Sequence, residues 1–145
     1  MARAVVCREL GAPELLRVET ACATPLAPGK VRVAVHAAGL NFPDVLMVAG
    51  QYQFKPDLPF VPGMEAAGEV IEAGSDVHGV SVGARVIVKA RQGCFAERVA
   101  VTPAHLTPMP STFDYAEGAT FLAAYGTAYH ALVDRAAIKP GETLL

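Results

Sequence analysis

Gly39-Leu40-Asn41-Phe42-Pro43-Asp44, followed by Pro62-Gly63-Met64-Glu65-Ala66-Ala67-Gly68, decides how the rest of the chain is read. Asn41 suits a helix cap, Pro43 falls in a first turn where a missing N–H costs little, and Gly50 offers a stop. A short helix therefore follows Asn41. Ahead of it, the turn Pro28-Gly29 leads into Lys30 to Ala37, where Val31, Val33 and Val35 alternate with Arg32, Ala34 and His36. That two-residue period predicts a half-buried strand. Beyond Gly68, Glu69 to Ala73 and Arg85 to Lys89 predict strands on either side of the loop Gly74 to Gly83. Gly93 to Val101 predicts another, with Phe95, Glu97 and Val99 on one face and Cys94, Ala96, Arg98 and Ala100 on the other. Toward the N-terminus, Ala4 to Cys7 and Leu15 to Glu19 are β-prone runs parted by Gly11-Ala12-Pro13. Many short strands with turn signals between them point to a small barrel or sandwich.

The composition shifts after Asp114. Up to about Ile138 the residues are mostly Ala, Leu, Tyr and Glu, with no proline before Pro140. Two helices are predicted, near Asp114 to Phe121 and from about Ala123 to Ala137. Gly126 weakens the second by roughly 1 kcal/mol relative to alanine. Lys139-Pro140-Gly141 then makes a turn, and Thr143-Leu144-Leu145 begins an apolar strand. A strand with nothing after it cannot pair fully, so the chain is expected to be part of a longer one.

Bulk properties narrow the function. The 145 residues suffice for one domain, or one domain and a fragment of the next, and 52% hydrophobic with 18% charged content is ordinary for a soluble globular protein. The 12 basic and 14 acidic residues leave a net charge of −2 with no basic run, so nucleic acid is not an expected partner. Three cysteines, Cys7, Cys22 and Cys94, stand at wide spacing without a Cys-x-x-Cys pair, which argues against a disulfide framework or a structural zinc site. A reducing, cytoplasmic setting is expected. No segment is long and apolar enough to cross a membrane, so no membrane partner is expected either.

Taken in order, Asn41 to Asp44, Pro59 to Gly68, Gly83 to Val86, Gly93 to Val99 and Ala124 to Thr127 resemble the quinone oxidoreductase branch of the medium-chain dehydrogenase/reductase superfamily. In zinc-dependent members, a cysteine and a histidine that bind the catalytic metal stand where this chain has Asn41 and Met64. The third metal cysteine would fall near Ala119. The resemblance thus implies a scaffold without catalytic zinc. It implies a mainly β fold with short helices: a GroES-like, partly open β-barrel over residues 1–112. Residues 113–145 would be linking helices and the first strand of a nucleotide-binding Rossmann domain that lies beyond them. NADPH, held mainly by that further domain, is the implied cofactor. A quinone or enone is the implied substrate, and a homodimer the implied state of the complete enzyme. Without the pyrophosphate site, the 145-residue chain is expected to be inactive alone.

Site residues follow from the same resemblance, each beside a plainer structural reading. Asn41 is placed near nicotinamide and substrate, where its amide offers donors and an acceptor; as a helix N-cap it would serve structure as well. Tyr52 would face the substrate pocket and donate to a quinone oxygen, or simply cover the barrel mouth. Thr127 would approach the nicotinamide carboxamide, or bond back to its own helix carbonyls. Phe42, Asp44 and Met64 would wall the substrate pocket, although a carboxylate at Asp44 is already explained by the helix dipole. Glu65 is read as a loop-stabilising acceptor, and Cys94 as a small packed residue. His36, His78, His105 and His130 lack ligand spacing. Tyr125 and Tyr129, four apart, could share one packed helix face. Two other activities stay open: an enoyl or acryloyl thioester reductase on the same scaffold, and a stand-alone GroES-like binding module.

Overall fold

The computed structural model describes residues 1–22 and 24–145. Strands β1 (Ala2–Val6) and β2 (Arg17–Ala21) pair antiparallel as a small sheet, Ala2 opposite Ala21 and Val6 opposite Arg17. The valine alternation makes β3 (Val31–Gly39), after which helix α1 (Phe42–Val48) starts at Asn41. Next come β4 (Glu65–Ala73), β5 (Arg85–Lys89), β6 (Arg98–Val101) and the short β7 (Leu106–Pro108). They form a five-stranded antiparallel sheet in the order β6-β3-β4-β5-β7. The segment before β6 joins the two sheets: Val5 N–H donates to the Phe95 carbonyl (2.8 Å), and Val35 N–H to that of Glu97 (2.9 Å). The result is mostly β with a few short helices, and among the described residues the barrel does not close.

Alternation decides which side chains are inside. Val31, Val33, Val70, Val86, Val88 and Val99, all from the five-stranded sheet, form the main core, each contributing about 1.5–3 kcal/mol of burial. Arg32 departs from the pattern. It is buried on the opposite face, where its Nε donates to Glu72 at 2.7 Å.

Several boundaries differ from expectation: β1 begins at Ala2 and ends at Val6, and β2 begins only at Arg17 because Pro13–Leu15 form a 3-10 turn. β4 begins at Glu65, not Glu69, because Glu65 through Gly68 pair with Gly39 through Val35 on one side and with Lys89 through Val86 on the other. β6 is shorter than expected. Residues 93–95 instead donate to the loop at Val61, Gly63 and Pro62, and Cys94 turns inward, away from the solvent face that Arg98 and Ala100 occupy. The two expected helices are one run. α2 (Tyr115–Phe121) passes directly into π-turns at Leu122–Gly126, then α-helical Thr127–Tyr129 and a second π-segment, His130–Arg135. Thr143 to Leu145 pair with no strand among the described residues.

Candidate functional site

The site is built where β3 ends, β4 begins and α2 runs into its π-turn. Gly39 closes β3 so tightly against α2 that a Cβ there would strike the Ala119 carbonyl oxygen. Two residues later Asn41 opens α1. Its backbone N–H donates to Asp44 Oδ2 at 2.9 Å, so the carboxylate in the first turn secures the helix start. The amide nitrogen Nδ2 of Asn41 is buried with no hydrogen-bond partner among the described residues, and so is Oδ1 of Asp44. Such groups are uncommon in native folds, where buried polar atoms are nearly always paired.

Two carboxylates are buried here, Asp44 at 2% exposure and Glu65 at 1%. Burial raises the Asp44 pKa above its ordinary value. The amides of Asn41, Gly63 and Met64 oppose that rise, and the nearby Glu65 charge adds to it. Of those amides, only that of Asn41 closes a hydrogen bond on the carboxylate. The Cys94 thiol, fully buried beside them, is pushed up to about 12 by desolvation and by the charges of Asp44 and Glu65. It stays protonated, as suits a packing residue rather than a nucleophile.

Glu65 does more than steady a local loop. Its Oε1 accepts the Ala123 N–H at 2.9 Å, tying the first residue of β4 to the π-turn. With that N–H bonded to Glu65, the helical ladder is interrupted within the π geometry at Leu122–Gly126. Glu65→Ala is expected to cost about 1–3 kcal/mol, the range for stranding a donor. Glu65→Gln, which keeps an acceptor oxygen, should cost clearly less. Urea denaturation of the two variants distinguishes them; equal losses would show that the bond to Ala123 is unimportant.

The remaining expected site residues fall into two groups. Tyr52 and Met64 come together, both packed against the cluster of Cys7, Met47, Val48 and Phe60. Tyr52 lies past the C-terminal end of α1, its N–H donating to the Leu46 carbonyl at 3.1 Å. Asn41 and Tyr52 thus flank opposite ends of a seven-residue helix, about 10 Å long. Phe42 and Leu40 stand beside Asn41 at 73% and 75% exposure, and Tyr125 is also exposed on the helical run. Thr127, four residues past Ala123, is exposed. Its hydroxyl makes no bond back to the helix among the described residues, whereas that of Thr120 bonds the Ala116 carbonyl at 3.0 Å. Tyr125 stacks on Phe121 and does not share a packed face with Tyr129, which is 64% exposed. His36 stacks on Tyr115, with ring centroids 4.2 Å apart. Sequence reasoning missed the burial of Asp44 and the partner of Glu65, because neither a two-residue nor a helical period carries information about a contact across 58 positions. Among the described residues, no three His, Cys, Asp or Glu side chains are grouped to hold a metal ion, and no helix is long and apolar enough to cross a membrane.

The chain is similar to several known proteins. Residues 27–111 match the alcohol dehydrogenase GroES-like domain. Quinone oxidoreductase-like protein 2 homolog of Nematostella vectensis is 46% identical over 99% of this chain and 39% of its own length. The rat quinone oxidoreductase-like protein 2 is 44% identical over 99% of this chain and 40% of its own. The chain therefore spans about two fifths of the length of these relatives. Among solved structures, a probable oxidoreductase from Mycobacterium abscessus superposes with a TM-score of 0.91 at 40% identity, covering 97% of this chain and 45% of that one. A quinone oxidoreductase from Pseudomonas syringae gives 0.87 at 30% identity, covering 98% and 44%. The chain belongs to the alcohol dehydrogenase GroES-like domain family, within the medium-chain dehydrogenase/reductase superfamily.

Proposed function

We propose that this chain is the substrate-side part of an NADPH-dependent oxidoreductase that reduces quinones or activated alkenes without zinc. Residues 1–112 would be the N-terminal part of its catalytic domain, and residues 113–145 the helices leading to its nucleotide-binding domain. The observation that carries the reading is the buried amide of Asn41, a donor with no acceptor among the described residues, at the position where zinc-dependent relatives carry a metal ligand. It supports an oxygen-bearing ligand as the missing partner. The donor set agrees. Asn41, Met64 and Ala119 offer zinc an amide, a thioether and a methyl group, a poor set for a cation that prefers thiolate, imidazole and carboxylate.

The residues present also suit a nicotinamide. Asn41 Nδ2 and the exposed Thr127 would hold its polar groups, and NADPH when bound supplies the hydride. Asn41 donates to the oxygen on which negative charge develops, doing by hydrogen bonding what a Lewis acid does elsewhere. Asp44 fixes Asn41 by accepting its backbone N–H. Phe42 and Met64 wall a flat apolar substrate. Tyr52, at the other end of α1, donates to a second polar group of the acceptor. Three unpaired cysteines support a reducing cytoplasmic setting, and we read the complete enzyme as a homodimer.

The test is NADPH oxidation by the complete protein with a quinone and with an enone, before and after exhaustive chelation. Turnover with at least one acceptor, unchanged by chelator, is the expected result. Activity lost on chelation and restored by zinc would overturn the zinc-free reading. No oxidation with either acceptor would overturn the substrate class.

A further inference from the structure

At the far end of β3 from Asn41, strands β1, β3 and β6 and the loop 90–93 surround a cavity of about 520 Å³. Its wall carries Arg3, Lys30, Arg32, Arg91 and Arg98, and neither Asp nor Glu. Five of the chain's 12 basic residues thus meet in one concavity of a protein whose net charge is −2. Two are offset from outside the wall, Arg3 by Glu97 at 2.6 Å and Arg32 by Glu72 at 2.7 Å. Lys30, Arg91 and Arg98 make no salt bridge among the described residues, although Arg98 lies near enough to Glu97 to help lower its pKa. Arg32 is the fixed member, only 8% exposed. Glu72 holds its Nε and the Thr24 carbonyl its Nη2 (2.6 Å), while Nη1 has no acceptor among the described residues. Arg91 is steadied over the Phe54 ring, 5.3 Å from its centroid.

Like charges gathered in a concave wall repel one another, and the low-dielectric protein around them focuses the positive potential into the cavity. Ion pairs within the fold account for Arg3 and Arg32, but no ion pair among the described residues accounts for Lys30, Arg91 and Arg98 lining the same cavity. We propose that the cavity binds a compact phosphate-bearing anion, such as inorganic pyrophosphate or a molecule ending in a phosphate group, away from the hydride-transfer site. Guanidinium forks match phosphate oxygens two at a time, and four of the five cations are arginines. The volume lies within the range of small-molecule sites. A pocket of this kind, in place of an extended basic stripe, favours a small anion over a nucleic acid backbone.

Calorimetric titration with inorganic phosphate and with pyrophosphate, at low and at moderate salt, tests this directly. Saturable binding that weakens as salt rises is expected. Pyrophosphate, the more highly charged of the two, should bind more tightly if the positive potential of the cavity drives binding, and binding no tighter than phosphate would count against it. Lys30→Ala and Arg98→Ala remove side chains that make no salt bridge among the described residues, so the fold should tolerate both. Each is expected to weaken binding about tenfold, and the pair by more. Lys89→Ala, on β5 outside the cavity, should change nothing. Absence of saturable binding at low salt would overturn the proposal. So would unchanged affinity in the doubly substituted protein with a native circular dichroism spectrum, or an equal loss in Lys89→Ala. If the double variant fails to fold, the single ones decide by the same criterion.

Discussion

Gly68→Ala is expected to destabilise the chain by about 3 kcal/mol, the upper end of the usual overpacking cost. Gly68 lies mid-strand in β4, opposite Val35 of β3 and Val86 of β5. The β3–β4 register slips between Val35 and Ala37, which brings the β3 backbone over this position. A Cβ added at Gly68 would run into the Ala34 carbonyl and come within 3.0 Å of Val33 Cγ1. A flexible side chain could swing aside, but a strand paired on both edges cannot move without losing ladder bonds. The effect should reach the site as well, because β4 starts at Glu65 and its displacement would pull on the bond to Ala123. Gly126→Ala makes the same chemical change with the opposite sign. Gly126 has helical φ −63° and ψ −40°, and nothing lies within 4 Å of an added Cβ, so alanine should stabilise by about 0.5–1 kcal/mol. Urea denaturation of both variants provides the comparison. Destabilisation of similar size in the two would mean that crowding at Gly68 is not the cause.

The same contrast explains how much could be read from sequence. The strands β3 and β5 were visible because β-branched residues alternate or cluster there, and burial of Val31, Val33, Val86 and Val88 is what that pattern encodes. The start of β4 was hidden, since Glu65-Ala66-Ala67-Gly68 has no β-branched residue. Ala67 and Gly68 are small because α2 and β3 press against them, which is a tertiary demand. β7 was missed for a related reason: three residues ending in Pro108 make an edge strand with almost no periodic signal. The capping role of Asn41 was legible from residue type alone. The depth at which Asp44 and Glu65 lie was not, because exposed and buried carboxylates in a first turn or at a strand start look identical in sequence. The bond that ties the turns after α2 to β4 has its acceptor, Glu65, 58 positions away, where no local window reaches.

Asn41→Ala in the complete protein should lower kcat by roughly 10²–10³, the usual effect of removing a donor that acts in the transition state. KM for the acceptor should change little if the bond strengthens only as charge develops. Alanine also removes a preferred N-cap residue, which alone costs about 1 kcal/mol of stability. The two losses are separable. Asn41→Ser keeps a capping oxygen but cannot reach with an amide N–H, so it should fold like the original and still lose most of kcat. Activity retained in Asn41→Ser and lost only in Asn41→Ala would make Asn41 a structural cap and remove the main support for hydrogen-bond catalysis here. The buried position of Nδ2 favours loss of kcat in both variants, since a cap needs only the side-chain oxygen and leaves unexplained a nitrogen that has no partner among the described residues. Asp44→Asn sharpens the comparison. Asparagine can still accept the Asn41 N–H (2.9 Å in the original) but carries no charge. If Asp44 serves only to hold Asn41, kcat should survive that change while falling in Asn41→Ser.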